Sequence, residues 1–425
     1  MPGARHHCQL TAVTIPPRVL IVGASLAGLR TAQGLRAFGF IGDITILGAE
    51  GHLPYDRPPL SKQVLTGGRL ATVPLVGIDE VDATWMLGDP ATGLDVGTGT
   101  VRTASGATYT ADAIVIATGA APRAWHVPGS HLPGVISLRT AEDAQQLAAA
   151  LDRGARILVV GGGFVGVEVA AAARSRGCAT VVVVRENLPL LRALGLDAAS
   201  TVTAGLRNAG VDVRTSTSVT ALAEGLDGSL ASATLDDGTT VLADLAVIGI
   251  GVDPATEWLS DTGLWLSDGV VCDESCRALT DSGERTRIPI VAVGDVARWP
   301  DPLRNGALTA VRHWSNAGEQ ARAAASTLLA APGEEQTYRH VPTFWSDLVA
   351  PGLRIKIRAV GHLVSADTTA VIDGSLDSES ALVVYGHLGR LMGALAVNRP
   401  RHLPTLRHQI LAGRPFERTL TAYVD

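Results

Sequence analysis

Residues 156–166 read RILVVGGGFVG, and residues 18–28 read RVLIVGASLAG. Each stretch is a continuous apolar run that ends in a glycine-spaced turn, which is typical of a buried parallel strand followed by a helix. The glycines allow the sharp turn, the approach of the backbone to a pyrophosphate and the close packing of the helix on the strand. Since one such fingerprint binds one dinucleotide, two of them predict a tightly bound dinucleotide and an exchangeable one. We therefore expect a flavoenzyme that takes hydride from a nicotinamide.

The first fingerprint departs from the usual pattern at one position. Gly23 and Gly28 occupy the first and third glycine positions, but Ser25 replaces the second. Because serine is small, we expect a slightly looser approach to the pyrophosphate and not the loss of the site. The free N–H groups at the start of the following helix can face a phosphate. The next predicted strand, 43–47, leads to Glu50, a candidate acceptor for ribose hydroxyls.

The second fingerprint is a full match to the dinucleotide-binding pattern. Gly161, Gly163 and Gly166 take its three glycine positions. A predicted helix over 167–176 and a predicted strand over 180–184 complete a β-α-β unit of the usual size. This second unit makes a purely structural role for both glycine turns improbable.

Composition argues against several other classes. The 425 residues are 46% hydrophobic and 18% charged, which suits two or three domains with large cores. A net charge of −6 without a basic tract argues against a nucleic-acid partner, and no apolar run reaches the roughly 18 residues of a membrane span. Residues 1–17 lack the apolar core of a signal peptide, so we expect a cytoplasmic protein. The spacing of Cys8, Cys178, Cys272 and Cys276 fits neither a redox dithiol nor a metal site, so no metal is expected.

Six further motifs resemble those of one family. In chain order they are YDRPPLSK at 55–62, LRT at 138–140, AVGD at 292–295, HWSN at 313–316, TFWSD at 343–347 and VNRP at 397–400. They span almost the whole chain, and the sequence resembles the oxygenase-coupled, FAD-dependent ferredoxin reductases. The resemblance implies bound FAD, NADPH or NADH as the exchangeable hydride donor, and a small iron–sulfur ferredoxin as the acceptor, which passes electrons to an oxygenase.

The same resemblance implies the domain organisation. It predicts an α/β fold with two Rossmann-like dinucleotide-binding domains and a C-terminal α+β domain. The FAD domain is expected to be discontinuous, at 17–118 and 254–330, with the NAD(P) domain inserted at 119–253 and the C-terminal domain at 336–425. Apolar strands that end at glycine and proline support both joints of the inserted domain.

Contacts to FAD are also implied by the resemblance. Arg57 is expected to bind the pyrophosphate, and Asp295 to accept hydrogen bonds from the ribityl chain. The helix that starts near Trp314 is expected to direct its positive end at the flavin pyrimidine and to stabilise the reduced flavin. Further expected contacts are Ala27, Ala91, Thr118, Gly119 and Arg139.

Lys62 is unusual in this chain because only it and Lys356 are lysines among 35 basic residues. In so arginine-biased a sequence, a lysine inside the 55–62 motif suggests that the site needs a compact ammonium group. The resemblance places Lys62 beside the reactive N5 of the flavin, paired with Glu168 from the second nucleotide unit. We expect the pair to steady the geometry of hydride transfer without covalent chemistry.

The choice of nicotinamide is the point at which the chain departs from this family, whose members generally use NADH. An acidic side chain usually closes the second nucleotide strand, but here Val184 takes that position and Arg185 follows it. Arg185 and Arg192 resemble the arginines of NADPH-using glutathione reductases, since a guanidinium binds a 2′-phosphate bidentately. Glu186 favours the alternative, an NADH site beside a solvated Arg185. We expect use of NADPH, alone or together with NADH.

Two other functions stay open at this point. A pyridine-nucleotide disulfide or peroxide reductase shares the architecture but needs a cysteine beside the flavin, where Ser61 and Lys62 stand. An apoptosis-inducing-factor-like flavoprotein shares the RPPLSK motif but would act through assembly or nucleic-acid contact, and the sequence lacks a strongly basic segment for that role.

The acceptor surface is predicted from the distribution of charge. Residues 336–425 hold ten Lys/Arg and seven Asp/Glu, so this segment is positive within an acidic chain. Because ferredoxins are usually acidic, electrostatic steering favours a positive docking surface. The candidate contacts are Arg298, Arg304, Arg399 and Arg401.

Overall fold

The computed structural model describes residues 15–68, 73–364 and 366–422, so Cys8 and most of the expected leader lie outside the described residues. The first elements are β1 (Arg18–Val22), α1 (Leu26–Ala37), β2 (Asp43–Gly48), β3 (Thr84–Leu87), β4 (Ala91–Asp95), β5 (Thr100–Thr103), β6 (Thr108–Thr110) and β7 (Ala113–Ile116). They are followed by β8 (Ala120–Pro122), β9 (Val135–Ile136), α2 (Ala141–Asp152), β10 (Ile157–Val160), α3 (Phe164–Ser175), β11 (Thr180–Val184), α4 (Leu191–Leu194), α5 (Leu196–Asn208), β12 (Asp212–Thr215), β13 (Val219–Glu224), β14 (Leu230–Leu235), β15 (Thr240–Leu242), β16 (Leu245–Ile248) and β17 (Val252–Pro254). The last elements are β18 (Val270–Val271), β19 (Ile290–Ala292), β20 (Ala297–Asp301), β21 (Ala307–Thr309), α6 (Trp314–Leu329), β22 (Thr343–Ala350), β23 (Leu353–Gly361), β24 (Thr368–Ser375), β25 (Ser380–His387), β26 (Arg390–Val397), α7 (Leu403–Leu411) and α8 (Phe416–Thr421).

The first fingerprint lies in a five-stranded parallel sheet. The strand order is β19-β7-β1-β2-β3, and each neighbouring pair is parallel. β7 is buried along its whole length and β1 at all but its first residue, which explains their continuous apolar runs. The chain leaves this sheet after β7 and returns to it at β19, so the sheet joins segments from both sides of the second fingerprint.

The turn between β1 and α1 requires glycine at two positions. Gly23 has a φ of +125°, and a Cβ there would lie 2.1 Å from the carbonyl oxygen of Ala117. A Cβ at Gly28 would lie 2.0 Å from the carbonyl oxygen of Gly23, so α1 can cross the turn only because residue 28 is glycine. Helix α1 ends at Ala37, and Phe38, which follows it, is 42% exposed.

The second fingerprint lies in a second parallel sheet with the order β12-β11-β10-β16-β9. Helix α3 begins at Phe164, three residues earlier than the predicted start at Val167, because the turn residue Gly163 is itself the N-cap. This early start places the first turn of α3 directly after the glycines, where its N–H groups are free.

The C-terminal segment forms an antiparallel sheet with the order β22-β23-β26-β25-β24, followed by α7 and α8. The sequence patterns of 353–360 and 381–385 are typical of strands, and these stretches lie within β23 and β25; the pattern of 403–411 is typical of a helix, and this stretch forms α7. Leu348 and Ile355 of this sheet share a hydrophobic core with the second nucleotide unit. The sheet is therefore packed against the helices that follow the second fingerprint.

Within the described residues, no helix is long and apolar enough to cross a membrane.

Candidate functional site

A large cavity opens at the carboxyl ends of β1, β7 and β19, the edge at which parallel sheets usually bind ligands. It encloses about 1440 Å³ of space, including its solvent-open mouth. Its lining residues are Ser25, Leu26, Ala27, Tyr55, Asp56, Arg57, Pro58, Leu60, Ser61, Lys62, Ala117, Thr118, Gly119, Leu138, Arg139, Phe164, Val165, Glu168, Gly294, Asp295, Arg312, His313, Trp314, Ala317, Thr343, Phe344 and Trp345. Most of the predicted FAD contacts are thus brought to one place from distant parts of the chain.

Three helices begin at the wall of this cavity. α1, α3 and α6 start at Leu26, Phe164 and Trp314, and all three residues line it. None of the three N-caps makes a side-chain capping hydrogen bond, and none of the helices has an acidic residue in its first turn. Their N–H groups and the positive ends of their dipoles are therefore available to a negatively charged ligand.

Arg57 is held in a network beside the start of α1. Its guanidinium pairs with the Glu50 carboxylate, donates to the carbonyl oxygen of Arg139 at 2.8 Å and lies 3.4 Å from the Ser25 hydroxyl. The Tyr55 hydroxyl donates to Glu50 at 2.6 Å. Burial raises the pKa of Tyr55, and the hydrogen bond to Glu50 adds to the shift. Tyr55 opens the 55–62 motif, but the sequence pattern alone indicated no role for it.

Asp295 and Arg139 form a long ion pair of 3.7 Å at the cavity wall. Burial raises the pKa of the Asp295 carboxyl group, and the Arg139 guanidinium opposes this shift. Burial also lowers the pKa of Arg139, with Asp295 acting in the opposite direction. The turn that carries Asp295 is fixed by a hydrogen bond of 2.8 Å from the Gly294 N–H to Gln320. Because the pair is long, both charged groups keep hydrogen-bonding capacity for a polyhydroxyl chain.

Lys62 and Glu168 form a buried ion pair of 2.8 Å. Lys62 follows a single 3₁₀ turn, Pro58–Ser61, whereas Glu168 lies near the start of α3. The Ser61 hydroxyl donates to the same carboxylate oxygen as Lys62, and the Ser346 hydroxyl on β22 donates to the other oxygen at 2.6 Å. Glu168 is only 4% exposed, so these three donors replace the water that its charge would otherwise need. The Lys62–Glu168 pair was predicted from the sequence, whereas the contacts of Ser61 and Ser346 were not.

Two tryptophans form an aromatic pair in the cavity wall. The rings of Trp314 and Trp345 lie 5.7 Å apart at 71°, and both side chains are partly exposed. The Trp314 indole N–H donates to Asp56 at 2.7 Å, which fixes the ring over the 55–62 motif. His313, the preceding residue, is half-buried at the cavity wall; burial lowers its pKa to about 4, and two neighbouring histidines contribute. It is therefore a neutral group at the N-terminus of α6.

The turn of the second fingerprint lies outside the lining of this cavity and next to the end of β11. The Leu190 N–H donates to the carbonyl oxygen of Gly162 at 2.8 Å, so the segment after β11 folds back onto the glycine turn. Arg185 is exposed and makes no ion pair with any described residue, whereas Arg192 pairs with Glu186 at 2.7 Å. The strand end therefore offers one uncommitted guanidinium beside a partly neutralised carboxylate.

Several predicted residues are not brought to the cavity. Ala91 begins β4 and does not line it, so its contact with FAD stays a prediction. Of the candidate acceptor contacts, Arg399 pairs with Asp373 at 2.7 Å and Arg298 donates to the carbonyl oxygen of Ser267 at 2.9 Å. Asp373 offsets the charge of Arg399, whereas the carbonyl partner of Arg298 leaves its positive charge in place.

The described cysteines lie outside the lining of the cavity. Cys178, Cys272 and Cys276 are buried and unpaired, and none of them lines the cavity. Burial raises the pKa of Cys276 to about 12, so its thiol is unreactive at neutral pH. The described part of the chain holds no cluster of His, Cys, Asp and Glu that could bind a metal ion.

The cavity fits FAD by charge and by backbone geometry. The turn at Gly23, which a Cβ would fill, leads into an uncapped helix that can face a pyrophosphate. Arg57 lies beside this helix, and Asp295 offers acceptors further along the cavity. The uncapped start of α6 can stabilise negative charge on a flavin ring.

Comparisons with known proteins identify the class that this fold and cavity define. Residues 17–321 match the family model of the pyridine nucleotide-disulphide oxidoreductases, and the chain belongs to this family. It is 36% identical over 412 residues to rhodocoxin reductase of Rhodococcus erythropolis, covering 96% of this chain and 92% of that protein. It is also 36% identical over 386 residues to the ferredoxin–NAD(+) reductase subunit of the benzene 1,2-dioxygenase system of Pseudomonas putida, covering 90% of each. The covalent putidaredoxin reductase–putidaredoxin complex contains a chain that matches with a TM-score of 0.86, 30% identity and 95% coverage of both chains.

These matches confirm the resemblance to ferredoxin reductases and the predicted fold of two dinucleotide-binding units with a C-terminal domain. The protein is a flavoprotein oxidoreductase whose cofactors are FAD and NAD(H). The domain boundaries and the roles of individual site residues stay predictions.

Proposed function

We propose that this protein oxidises a nicotinamide dinucleotide and passes the electrons through FAD to a small iron–sulfur ferredoxin that serves an oxygenase. The observation that carries the proposal is the buried Lys62–Glu168 pair in a cavity that fits FAD and whose described lining holds no thiol. The names of the relatives support it, because they are reductases of redoxins or of dioxygenase systems.

In this proposal, the first nucleotide unit holds FAD. The N-terminus of α1 and Arg57 bind the pyrophosphate, and Asp295 accepts hydrogen bonds from the ribityl hydroxyls. Glu50 orients Arg57, with which it already pairs. Bound FAD supplies the chemistry that a hydride donor and a one-electron acceptor need in common, since it accepts two electrons and releases them singly.

The nicotinamide enters over the start of α3. Phe164 and Val165 line the cavity between the second fingerprint and Lys62, so a dinucleotide bound at Gly161–Gly166 can extend its nicotinamide ring along them. Lys62 holds a fixed positive charge where hydride arrives, and Glu168 keeps that charge in place. Neither Lys62 nor Glu168 donates or accepts a proton in this step.

The residues after β11 bear on whether the protein uses NADH or NADPH. Arg185 is free to bind a 2′-phosphate, and Arg192 already neutralises part of the charge of Glu186. We therefore propose that NADPH is accepted besides NADH.

The electrons leave past Trp314 and Trp345. Both rings are partly exposed in the cavity wall and in contact with each other, so a docked redoxin can approach the flavin through them.

The three buried, unpaired cysteines are consistent with a reducing compartment, and we propose a cytoplasmic location.

A steady-state assay tests the proposed function against its rivals. FAD-loaded protein is supplied with NADH or NADPH and, in separate reactions, with putidaredoxin, a synthetic disulfide or hydrogen peroxide. The proposal expects nicotinamide-dependent reduction of the iron–sulfur protein and negligible turnover of the other two acceptors. Disulfide or peroxide turnover at a comparable rate would support a disulfide or peroxide reductase instead. A DNA-binding assay on the same protein tests the third function, and binding to DNA without ferredoxin reduction would support an apoptosis-inducing-factor-like role.

A further inference from the structure

Ser346 is the contact through which the C-terminal sheet reaches the Lys62–Glu168 pair. Its hydroxyl donates to Oε1 of Glu168 at 2.6 Å, and no other described side chain donates to that oxygen. Lys62 and Ser61 both donate to Oε2. Donors on a single oxygen leave a carboxylate free to turn about its last torsion, which has a broad minimum. The Ser346 hydrogen bond therefore fixes the plane of the carboxylate and, through it, the Lys62 ammonium.

Burial makes this hydrogen bond more consequential than one at the surface. Ser346 is fully buried and Glu168 nearly so, and water cannot replace the hydroxyl without rearrangement. A buried charged oxygen that loses its donor must rotate toward another donor or take up a proton. Either response changes the partner of Lys62 and moves the ammonium from the position seen here.

Strand β22 gives Ser346 a rigid support. β22 pairs with β23 along its whole length, with Ser346 opposite Ile357. The neighbouring Asp347 is bound by both terminal nitrogens of Arg358, at 2.7 and 3.2 Å. Because side chains alternate along a strand, Trp345 faces the cavity while Ser346 faces Glu168. One strand thus carries both an aromatic wall of the cavity and a support of its charged pair.

We propose that Ser346 is a positioning residue for hydride transfer, which acts by orienting Glu168 and hence Lys62. The C-terminal domain then completes the site at which the nicotinamide reacts, in addition to the two nucleotide units. The inference rests on the proposed function, since it assigns Lys62 to the flavin, and it extends that function by adding a third domain to the reductive half-reaction.

The test compares four variants in the FAD-loaded protein: Ser346→Ala, Ser346→Thr, Glu168→Gln and the double variant Ser346→Ala/Glu168→Gln. Flavin reduction by saturating NADH is followed by stopped-flow absorbance across pH, and the midpoint potential of the bound flavin is measured by dye equilibration. The matched control is Thr419→Val, which removes another fully buried C-terminal hydroxyl, bonded to the carbonyl oxygen of Pro415, outside the cavity. If Ser346→Ala does not fold, Ser346→Cys replaces it, since a thiol of similar size is a weak donor.

We expect Ser346→Ala to slow flavin reduction at least threefold, to alter its pH profile and to lower the midpoint potential, because the ammonium is less well placed. Ser346→Thr keeps the hydroxyl and should restore all three properties, whereas Thr419→Val should change none of them. In the Glu168→Gln background, Ser346→Ala should cause no further slowing. A wild-type rate and potential in Ser346→Ala, or equal slowing in the Glu168→Gln background, would overturn the inference while leaving the proposed function intact. If NADH fails to reduce the wild-type protein, the proposed function falls and the inference with it.

Discussion

Replacing Lys62 with methionine isolates the charge of the buried pair, because methionine keeps much of the side-chain volume. Breaking a buried ion pair by removing one partner costs about 3–5 kcal/mol in general. Here Glu168 retains the hydroxyls of Ser61 and Ser346, and the Lys62 side chain is 13% exposed. We therefore expect the lower end of that range, about 3 kcal/mol, in the free energy of unfolding at neutral pH.

Two measurements on one set of proteins check this reasoning. Urea unfolding at neutral pH gives the stability difference, and stopped-flow reduction by NADH gives the kinetic effect. Lys62→Met should reduce the flavin at least about tenfold more slowly, which corresponds to 1.4 kcal/mol of barrier.

The matched control is Lys356→Met, at the only other lysine, which is exposed on β23 and should leave both quantities unchanged. Unchanged flavin reduction or an unchanged free energy of unfolding in Lys62→Met would show that the pair does not act as described.

Three further predictions test separate parts of the site. Arg57→Gln should raise the dissociation constant of FAD about ten- to a hundredfold, since a charge-assisted contact is worth about 1.5–3 kcal/mol; titration of the deflavinated protein measures it, and an unchanged constant would remove Arg57 from the pyrophosphate site. His313 should make the native state less stable as pH falls from about 6.5 toward 4, by at most about 3 kcal/mol, because its lowered pKa excludes a proton that the unfolded chain binds; His313→Asn should flatten this part of the stability profile, and a profile identical to wild type would count against the assignment. Arg185→Ala should lower the NADPH-to-NADH ratio of kcat/KM about tenfold or more, whereas a wild-type preference for NADH that the variant leaves unmoved would favour the solvated reading of Arg185.

The sequence predicted the fold well where local patterns carry the information. The glycine turns at 23–28 and 161–166 have a steric requirement that only glycine meets, so their residue types reveal the strand–turn–helix units directly. The C-terminal strands and α7 could also be predicted, from the alternation of apolar and polar residues in the strands and from the helical pattern of α7. The ends of helices were harder to predict, because the start of α3 depends on how the turn at Gly163 closes.

Only those parts of the site that the family motifs carry could be predicted from the sequence. Lys62 and Glu168 could be paired through the family resemblance, although 106 positions separate them. No contact was predicted for Ser61 or Ser346, because serine is common and the two contacts depend on how the 55–62 motif and β22 pack against α3, which no local pattern encodes. Ala91 was expected near FAD from the family resemblance alone; it does not line the cavity, and its contact with FAD stays a prediction.

A single-turnover experiment tests the central claim most directly. FAD-loaded protein is mixed anaerobically with one equivalent of NADH and an excess of oxidised putidaredoxin, and flavin and iron–sulfur absorbance are followed together. The account predicts that the flavin bleaches and then recovers while two molecules of the iron–sulfur protein are reduced per NADH, since a hydride carries two electrons and each centre accepts one. A flavin that bleaches with NADH and stays reduced in the presence of the iron–sulfur protein would contradict it.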